Sequence, residues 1–257
     1  MPAKPEQLLR LGEELVKLAH EMTAGGTIAF AEAEFETTSA VLGLYSKSVK
    51  TFQATHLLCG AGFGADAQSL LRCLAETLAN IKYIRQEDSE RRAAEYFYYT
   101  VMQDLKLMNA TEQNPGLKGL FRDDMKSLVH ERVKQAKRIM GEEEFEKRYE
   151  KGAWHGKKIE AVFRDVKLQS LYDLPFRLGA RSVHATDIFS HFYLRDDGKF
   201  VLKILPDDEW LLPVLSTSSR VFIDILFEVD EACSLHSKEL IKSKNREFTE
   251  MRNLKGS

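Results

Sequence analysis

Apolar residues recur at helical spacing along most of this chain, and this periodicity constrains the fold more than any other feature. In the first segment, Leu8, Leu11, Leu15 and Leu18 fall on one side of a helix that starts near Pro5. The 257 residues include only six prolines, so few positions force a helix to stop. We therefore predict an all-α fold, a multi-helix bundle.

Turn and capping residues divide the bundle into its predicted helices. We place these helices at 5–22, 34–58, 65–85, 89–108, 117–151, 157–166, 168–174, 174–192 and 213–243. Gly25 and Gly26 follow the first helix, and Gly141 interrupts the long charged one. The segment 60–64, Gly-Ala-Gly-Phe-Gly, lacks the preceding strand and the Lys-Ser/Thr spacing of a phosphate-binding loop. We interpret it as a helix end and a turn.

One segment departs from the helical pattern. Within residues 192–204, the sequence Asp196-Asp197-Gly198 separates two β-prone runs, which is typical of a hairpin turn. We predict one small β-hairpin inserted before the last long helix. Residues 1–257 then form a single helical domain, with a polar tail at 244–257 that we expect to fray.

Charge and cysteine content exclude several classes of protein. The formal net charge of −2 gives no overall attraction to nucleic acid or to an acidic membrane, so such binding must depend on local patches. Cys59, Cys73 and Cys233 form no C-x-x-C pair, which argues against a disulfide framework or a zinc site. No signal peptide is recognisable, and no apolar run approaches the ~20 residues of a membrane span. We expect a cytoplasmic protein without membrane contact.

The known metal-binding motifs do not occur in this sequence. No histidine follows a glutamate by three residues, and His130-Glu131 is not part of an H-E-x-x-H motif. His184, Asp187 and His191 share one predicted helix, but three ligands on one helix need a further ligand from elsewhere. We therefore expect no metal and no cofactor.

The predicted helix at 174–192 carries a stripe of basic side chains. Arg177, Arg181, His184 and His191 are spaced by four, three and seven residues, which places them within a narrow arc of one helix face. An apolar stripe beside them would dock the helix: Leu174, Leu178, Ala185, Phe189 and Phe192. An imidazole can transfer protons near neutral pH, and a guanidinium can stabilise the charge that develops on a phosphodiester. Arg177, Arg181 and His184 are therefore candidate catalytic residues; the alternative is a solvated helix flank.

The predicted helix at 65–85 has a polar face opposite its leucines. This face carries Ser69, Arg72, Glu76, Asn80 and Tyr83. Arg72 and Glu76 are four residues apart and can pair. The functional interpretation makes Arg72 an anion ligand that Glu76 orients. The alternative is an exposed ion pair of little energetic weight.

Three segments, residues 62–84, 154–166 and 171–187, resemble a bacterial family catalogued as domain of unknown function 5677. The resemblance covers about 60–230. Members have an Arg-x-x-x-Glu on one helix, a Trp-led segment, a Tyr and a late Ser-x-x-His. The corresponding residues here are Arg72, Glu76, Trp154, Tyr172, Ser182 and His184. Two departures concern the last motif, because Arg181 stands three residues before the histidine and Ala185 follows it where members often have glycine.

That family in turn is similar to the HEPN superfamily of helical bundles, whose active members carry an arginine and then, after four to six residues, a histidine. Arg177 and His184, with six intervening residues, fit that motif. The resemblance implies a metal-independent endoribonuclease, a defence or toxin component that acts on RNA as a homodimer. His184 would be the acid/base and Arg177 the phosphate ligand. Supporting or substrate-binding roles would fall to Arg181, Arg72, Glu76, Tyr83 and Tyr172.

Two other functions stay open at this point. Helical bundles of this kind also serve as non-catalytic nucleotide-binding or partner-binding modules, and a purely structural, partner-binding protein fits the pattern too. The polar face at 69–83 separates these hypotheses. If it faces His184 across a cleft, it belongs to a site; if it faces solvent, it is an ordinary helix surface.

Overall fold

Helices make up most of the chain, and the all-α prediction is confirmed. The computed structural model describes residues 4–23, 35–151, 154–184 and 191–253. The helices are α1 (Pro5–Met22), α2 (Phe35–Gly60), α3 (Gly64–Arg85), α4 (Ser89–Gln113), α5 (Asp123–Met140), α6 (Glu142–Lys151), α7 (Ile159–Asp165), α8 (Gln169–Leu171), α9 (Arg177–Val183), α10 (Leu211–Cys233) and α11 (Lys238–Asn253). A π-helical turn at Tyr172–Phe176 joins α8 to α9. Gly25 and Gly26, the predicted stop after α1, lie outside the described residues.

Glycines end helices where the sequence predicts interruptions. Gly141 has a φ of 85°, and its N–H bonds to the Lys137 carbonyl, so α5 ends there and α6 starts with the next residue. The predicted break at Gly141 is confirmed. The segment 60–64 is a turn between α2 and α3, as interpreted, and Gly62 within it has a φ of 84°.

The predicted hairpin is confirmed and is tied to the bundle. β1 (Phe192–Leu194) pairs antiparallel with β2 (Phe200–Leu202), and Gly198 in the turn has a φ of 76°. The segment after β2 returns to the α2–α3 turn, where the Asp207 N–H donates to the Gly62 carbonyl at 3.0 Å. The hairpin precedes α10, the last long helix.

The last long helix is shorter than the predicted span of 213–243. Ser234 and His236 have φ values of 50° and 58°, which break the helical path between α10 and α11. Asp230 stabilises this break, since its carboxylate accepts a hydrogen bond from the Ser237 N–H at 2.6 Å.

The predicted frayed tail is largely helical. α11 continues to Asn253, and its residues Ile241, Phe248 and Met251 are buried in the main core. Residues 244–253 therefore belong to a packed amphipathic helix. The last four residues lie outside the description of the structure.

The main core forms where α2, α3 and α10 meet, with α1 and α11 on one side of them. Phe52 of α2 and Phe222 of α10 stack with ring centroids 4.2 Å apart at its centre. His56, one turn further along α2, packs against Gly12 of α1 and lies 3.4 Å from the Ser218 hydroxyl. Burial lowers the pKa of His56 to about 4, so this imidazole is neutral at pH 7 and belongs to the core.

A second apolar cluster joins α4, α5 and α6 through Tyr98, Val101, Met102, Ala136 and Phe145. Beside it, Arg148 is only 8% exposed and connects three segments of the chain. Its guanidinium binds the Glu95 carboxylate at 3.0 Å and the Glu144 carboxylate at 2.6 Å, and it donates a hydrogen bond to the Trp154 carbonyl. Arg148 thereby holds Trp154 against α4.

α9 lies very close to α3 because of Gly179. A Cβ atom at this position would lie 2.6 Å from the Arg72 Cβ atom and would also overlap the Gln68 carbonyl oxygen. Real side chains do not approach each other so closely, so only glycine allows this helix contact. The contact positions the whole segment that carries the predicted catalytic residues.

Gly179→Ala should therefore lower the free energy of unfolding by about 1–3 kcal/mol, because the added methyl group overpacks the α3–α9 contact. Gly43→Ala is the matched control, since Gly43 lies in α2 with nothing within 4 Å of an added Cβ. The control should gain about 0.5–1 kcal/mol from the higher helix propensity of alanine. Urea denaturation measures both changes. An equal gain for the two variants would show that the α3–α9 contact is not tight.

Arg148→Met should reduce the free energy of unfolding by about 1–3 kcal/mol, because it leaves the Trp154 carbonyl without its donor and removes one of the two arginines that bind Glu95. The Trp154 fluorescence spectrum should shift as the indole loses its anchored position. Lys147→Met is the control, since Lys147 is half exposed and its ion pair with Glu144 lies at the surface. Wild-type stability in Arg148→Met would contradict a structural role for this network.

Candidate functional site

The predicted basic stripe is partly present on α9. Arg177 and Arg181 lie on this helix, His184 is its C-terminal cap, and all three side chains are exposed. Ala185, Asp187 and Phe189, which the helix prediction also used, lie outside the described residues. His191 is not helical, so its place in the stripe was wrong. It precedes β1, and its carbonyl accepts a hydrogen bond from the Lys203 N–H at 2.9 Å, because the chain has already turned into the hairpin.

Two arginines enclose a pair of stacked aromatic rings beside α9. The Tyr172 and Phe176 rings stack with centroids 5.2 Å apart. The Arg177 guanidinium lies 5.1 Å from the Tyr172 centroid, and the Arg72 guanidinium lies 4.5 Å from the Phe176 centroid. The structure therefore places two of the predicted supporting residues, Arg72 and Tyr172, in one stack with Arg177.

The predicted pairing of Arg72 with Glu76 does not form. No ion pair or hydrogen bond joins the two side chains in the described structure, and the guanidinium is turned towards Phe176. The tight contact at Gly179 brings Phe176 onto this part of α3, and the cation–π contact then competes with an i,i+4 pair of about 0.3–0.5 kcal/mol. Arg72 and Glu76 consequently belong to different surfaces of the protein.

Glu76 and Asn80 continue the polar face of α3 into a cleft of about 310 Å³. Helices α2, α3 and α4 form its walls together with Trp154. The side chains that matter for its chemistry are Lys47, Glu76, Asn80, Tyr96, Tyr99 and Trp154. His184 is not among the residues that line it. The polar face of α3 thus faces a cleft, but His184 is not across it, as a site shared with His184 would need.

Two hydrogen-bond acceptors on residues that line this cleft have no partner among the described residues. Asn80 is 7% exposed, and its Oδ1 atom is buried without a hydrogen bond. The Glu76 carboxylate forms neither an ion pair nor a hydrogen bond within the described part of the chain. A buried acceptor without a donor destabilises the folded state by about 1–3 kcal/mol. Native proteins rarely retain such groups. Asn80 is one of five described residues with a buried side-chain atom that has no hydrogen-bond partner, and of these five it alone lines this cleft.

Aromatic rings cover the two acceptors. Tyr96 and Trp154 meet edge to face with centroids 5.1 Å apart. Burial raises the pKa of Tyr96 to about 12, and the negative charge of Glu76 adds to this shift. Burial and Glu76 also raise the pKa of Tyr99. Both phenols therefore stay protonated at neutral pH, and the Tyr96 hydroxyl can donate a hydrogen bond to a ligand.

Tyr83, another predicted site residue, packs against Trp154 of the cleft wall. Its ring packs edge to face against Trp154 at 5.5 Å. The Arg92 guanidinium lies 4.0 Å and the Lys157 ammonium 4.7 Å from its centroid. Next to it, burial lowers the pKa of His155 to about 4, so this imidazole is neutral at pH 7. These groups fix the position of Trp154 and are not themselves among the residues that line the cleft.

Tyr96, Tyr99 and Lys47 are cleft residues that the sequence analysis missed. A signal was present, since Tyr96 and Tyr99 are three residues apart on one predicted helix and therefore share a face. The sequence does not indicate that this face meets Glu76 and Asn80, because that depends on how α4 packs on α3.

The described residues include neither a cluster of metal-ligating side chains nor a helix suited to crossing a membrane. No group of three or more His, Cys, Asp or Glu side chains is arranged to hold a metal ion. No described helix combines the length and the apolar character that crossing a bilayer requires.

Comparison with known proteins identifies the family. A family model described as "Family of unknown function (DUF5677)" matches residues 38–200, which include α3, α4, Trp154 and α9. No curated protein and no solved structure is similar enough to count as a match. The matched region covers more than half of the chain and contains most of the cleft residues together with the basic helix. This chain therefore belongs to the family of unknown function DUF5677.

Proposed function

We propose that this protein is a helical ligand-binding module and that the cleft between α3 and α4 is its binding site. One observation carries the proposal: Asn80 lines an aromatic cleft, and its buried Oδ1 atom has no hydrogen-bond donor among the described residues. A ligand that supplies this donor would recover the free energy lost by burying the acceptor. This is the non-catalytic module that the sequence analysis kept as an alternative.

The cleft has the features of a small-molecule site. Its volume of about 310 Å³ is at the lower end of the range for ligand pockets, which suits a small metabolite. The rings of Tyr96, Tyr99 and Trp154 supply apolar surface for a ligand. More than half of the lining residues are polar and can orient it through hydrogen bonds. Rigid helices form the walls, and Arg148 holds Trp154 in place, so the site is organised before binding.

Asn80→Leu tests this proposal, because it replaces the unpartnered amide with an apolar side chain of similar size. The free energy of unfolding should stay equal or rise, since no hydrogen bond is lost, while the affinity for a cleft ligand should fall at least about tenfold. Asn109→Leu is the matched control on α4. It removes a hydrogen bond to the Tyr149 hydroxyl and should lose about 1 kcal/mol of stability without affecting binding.

The readout is a thermal-shift screen of metabolites, followed by fluorescence titration of the Trp210→Phe variant. The chain has two tryptophans, so this variant reports on Trp154 alone. Strong destabilisation by Asn80→Leu would indicate a structural amide. A screen in which no compound shifts either signal would contradict the ligand-binding module.

A second candidate function is metal-independent RNA cleavage of the HEPN kind. The observation that favours it is the surface of α9, where Arg177, Arg181 and the terminal His184 are all exposed. In this proposal His184 transfers protons to and from the 2′-hydroxyl and leaving oxygens, and the arginines bind the phosphate. Two copies of the chain would be needed to build a cleft from two such faces, as expected of a homodimeric defence or toxin component.

His184→Ala should abolish cleavage of single-stranded and transfer RNA measured in EDTA, with an unchanged circular dichroism spectrum. His130→Ala, which removes another exposed histidine from α5, should retain full activity. Intact RNA after incubation with the wild-type protein, or equal activity of the two variants, would eliminate the nuclease hypothesis.

A further inference from the structure

We infer that the α3–α4 cleft selects a small organic cation carrying N–H donors, such as a protonated amine, through the Glu76 carboxylate and the Asn80 amide oxygen. This inference rests on the proposed ligand-binding function and specifies its ligand class. Three independent properties of the cleft support it: its hydrogen-bonding polarity, its charge and its aromatic rings.

Hydrogen-bonding polarity is the first property. The Asn80 Oδ1 atom and the Glu76 carboxylate are both acceptors, and neither has a donor within the described residues. A ligand must therefore present donors to both groups. A carboxylate or a phosphate would meet acceptors and a like charge at this position, so anionic ligands are disfavoured.

Charge is the second property. The ionisable side chains of aspartate, glutamate, lysine or arginine that line the cleft are Lys47, Glu76 and Asp104, which gives one positive and two negative charges. Lys47 forms no ion pair with Glu76. Arg72, the basic residue one turn before Glu76 on α3, is turned towards Phe176 instead. The cleft therefore has a net negative charge, and no described residue forms an ion pair with Glu76.

The aromatic rings are the third property. Tyr83, Tyr172 and Phe176 each already have a lysine or arginine of this chain over their faces. The rings of Tyr96 and Trp154 have no such cation from the described residues. Aromatic rings next to a carboxylate are the usual surroundings of an organic ammonium group in proteins, because the ring quadrupole and the negative charge attract the same ligand.

The test compares putrescine with 1,4-butanediol, a neutral molecule of the same length, on the Trp210→Phe protein. Putrescine and the guanidinium compound agmatine should change Trp154 fluorescence and raise the melting temperature, and the diol should do neither. Glu76→Gln keeps the shape of the side chain and removes its charge. It should weaken amine binding at least about tenfold, the usual effect of losing a charge-assisted hydrogen bond.

Glu131→Gln removes an exposed carboxylate from α5 and should bind the amines like wild type. If Glu76→Gln does not fold, the ionic-strength dependence of wild-type binding tests the inference instead. Added salt should weaken the binding of a cation and leave the binding of a neutral ligand unchanged, because it screens the attraction between charges. Equal binding of the diol, or unchanged amine affinity in Glu76→Gln, would overturn the inference.

The result for a neutral heterocycle separates this inference from the proposed function. If guanosine binds and amines do not, and Asn80→Leu abolishes guanosine binding, the cleft is a ligand site but its selectivity for cations is refuted. If neither amines, guanosine nor any compound of the screen changes Trp154 fluorescence or the melting temperature, both proposals fail together.

Discussion

The enclosure of α3 by its neighbours is the constraint on which the rest of this structure depends. Helices α2, α4, α7, α9 and α10 all contact it, so both its apolar and its polar faces are covered by protein. Leucines satisfy the buried apolar face, as in any bundle. The polar face has to find hydrogen-bond partners among neighbouring elements, and at Asn80 and Glu76 the described residues supply none. The unsatisfied acceptors thus follow from the position of one helix.

Along the same polar face, two surfaces with different chemistry result. Near its start, the glycine contact with α9 draws Arg72 into a stack with Phe176, Tyr172 and Arg177, which leaves basic groups at the surface. Further along, α4 and Trp154 cover Glu76 and Asn80, which leaves an acidic, aromatic cleft. The first surface suits a large anion such as RNA and the second suits a small cation. The two proposed binding functions therefore depend on residues of neighbouring turns of one helix.

Local patterns in the sequence predicted the fold well, and tertiary contacts explain what they missed. Periodicity predicted α1 and α3 correctly, and Gly141 predicted the break between α5 and α6, because each of these features depends on residues nearby in the sequence. The break after α10 was missed because Ser234 and His236 take up positive φ values that no local residue preference indicates. The Arg72–Glu76 pair was predicted from spacing alone, but the cation–π contact with Phe176 comes from a helix distant in sequence. Likewise, Tyr96 and Tyr99 line a cleft only because α4 packs on α3, which the sequence does not indicate.

His56 makes the stability of this protein depend on pH. Its imidazole packs between α1, α2 and α10, and burial lowers its pKa from an ordinary value of 6.5 to about 4. Between those two pH values the unfolded chain binds a proton at His56 and the native chain does not. The contribution of His56 to stability is therefore complete above pH 6.5 and is lost as the pH falls towards 4. Acidification thus favours the unfolded chain, and the pH of an acidified vesicle or a lysosome-like compartment would lower the free energy of unfolding of this bundle.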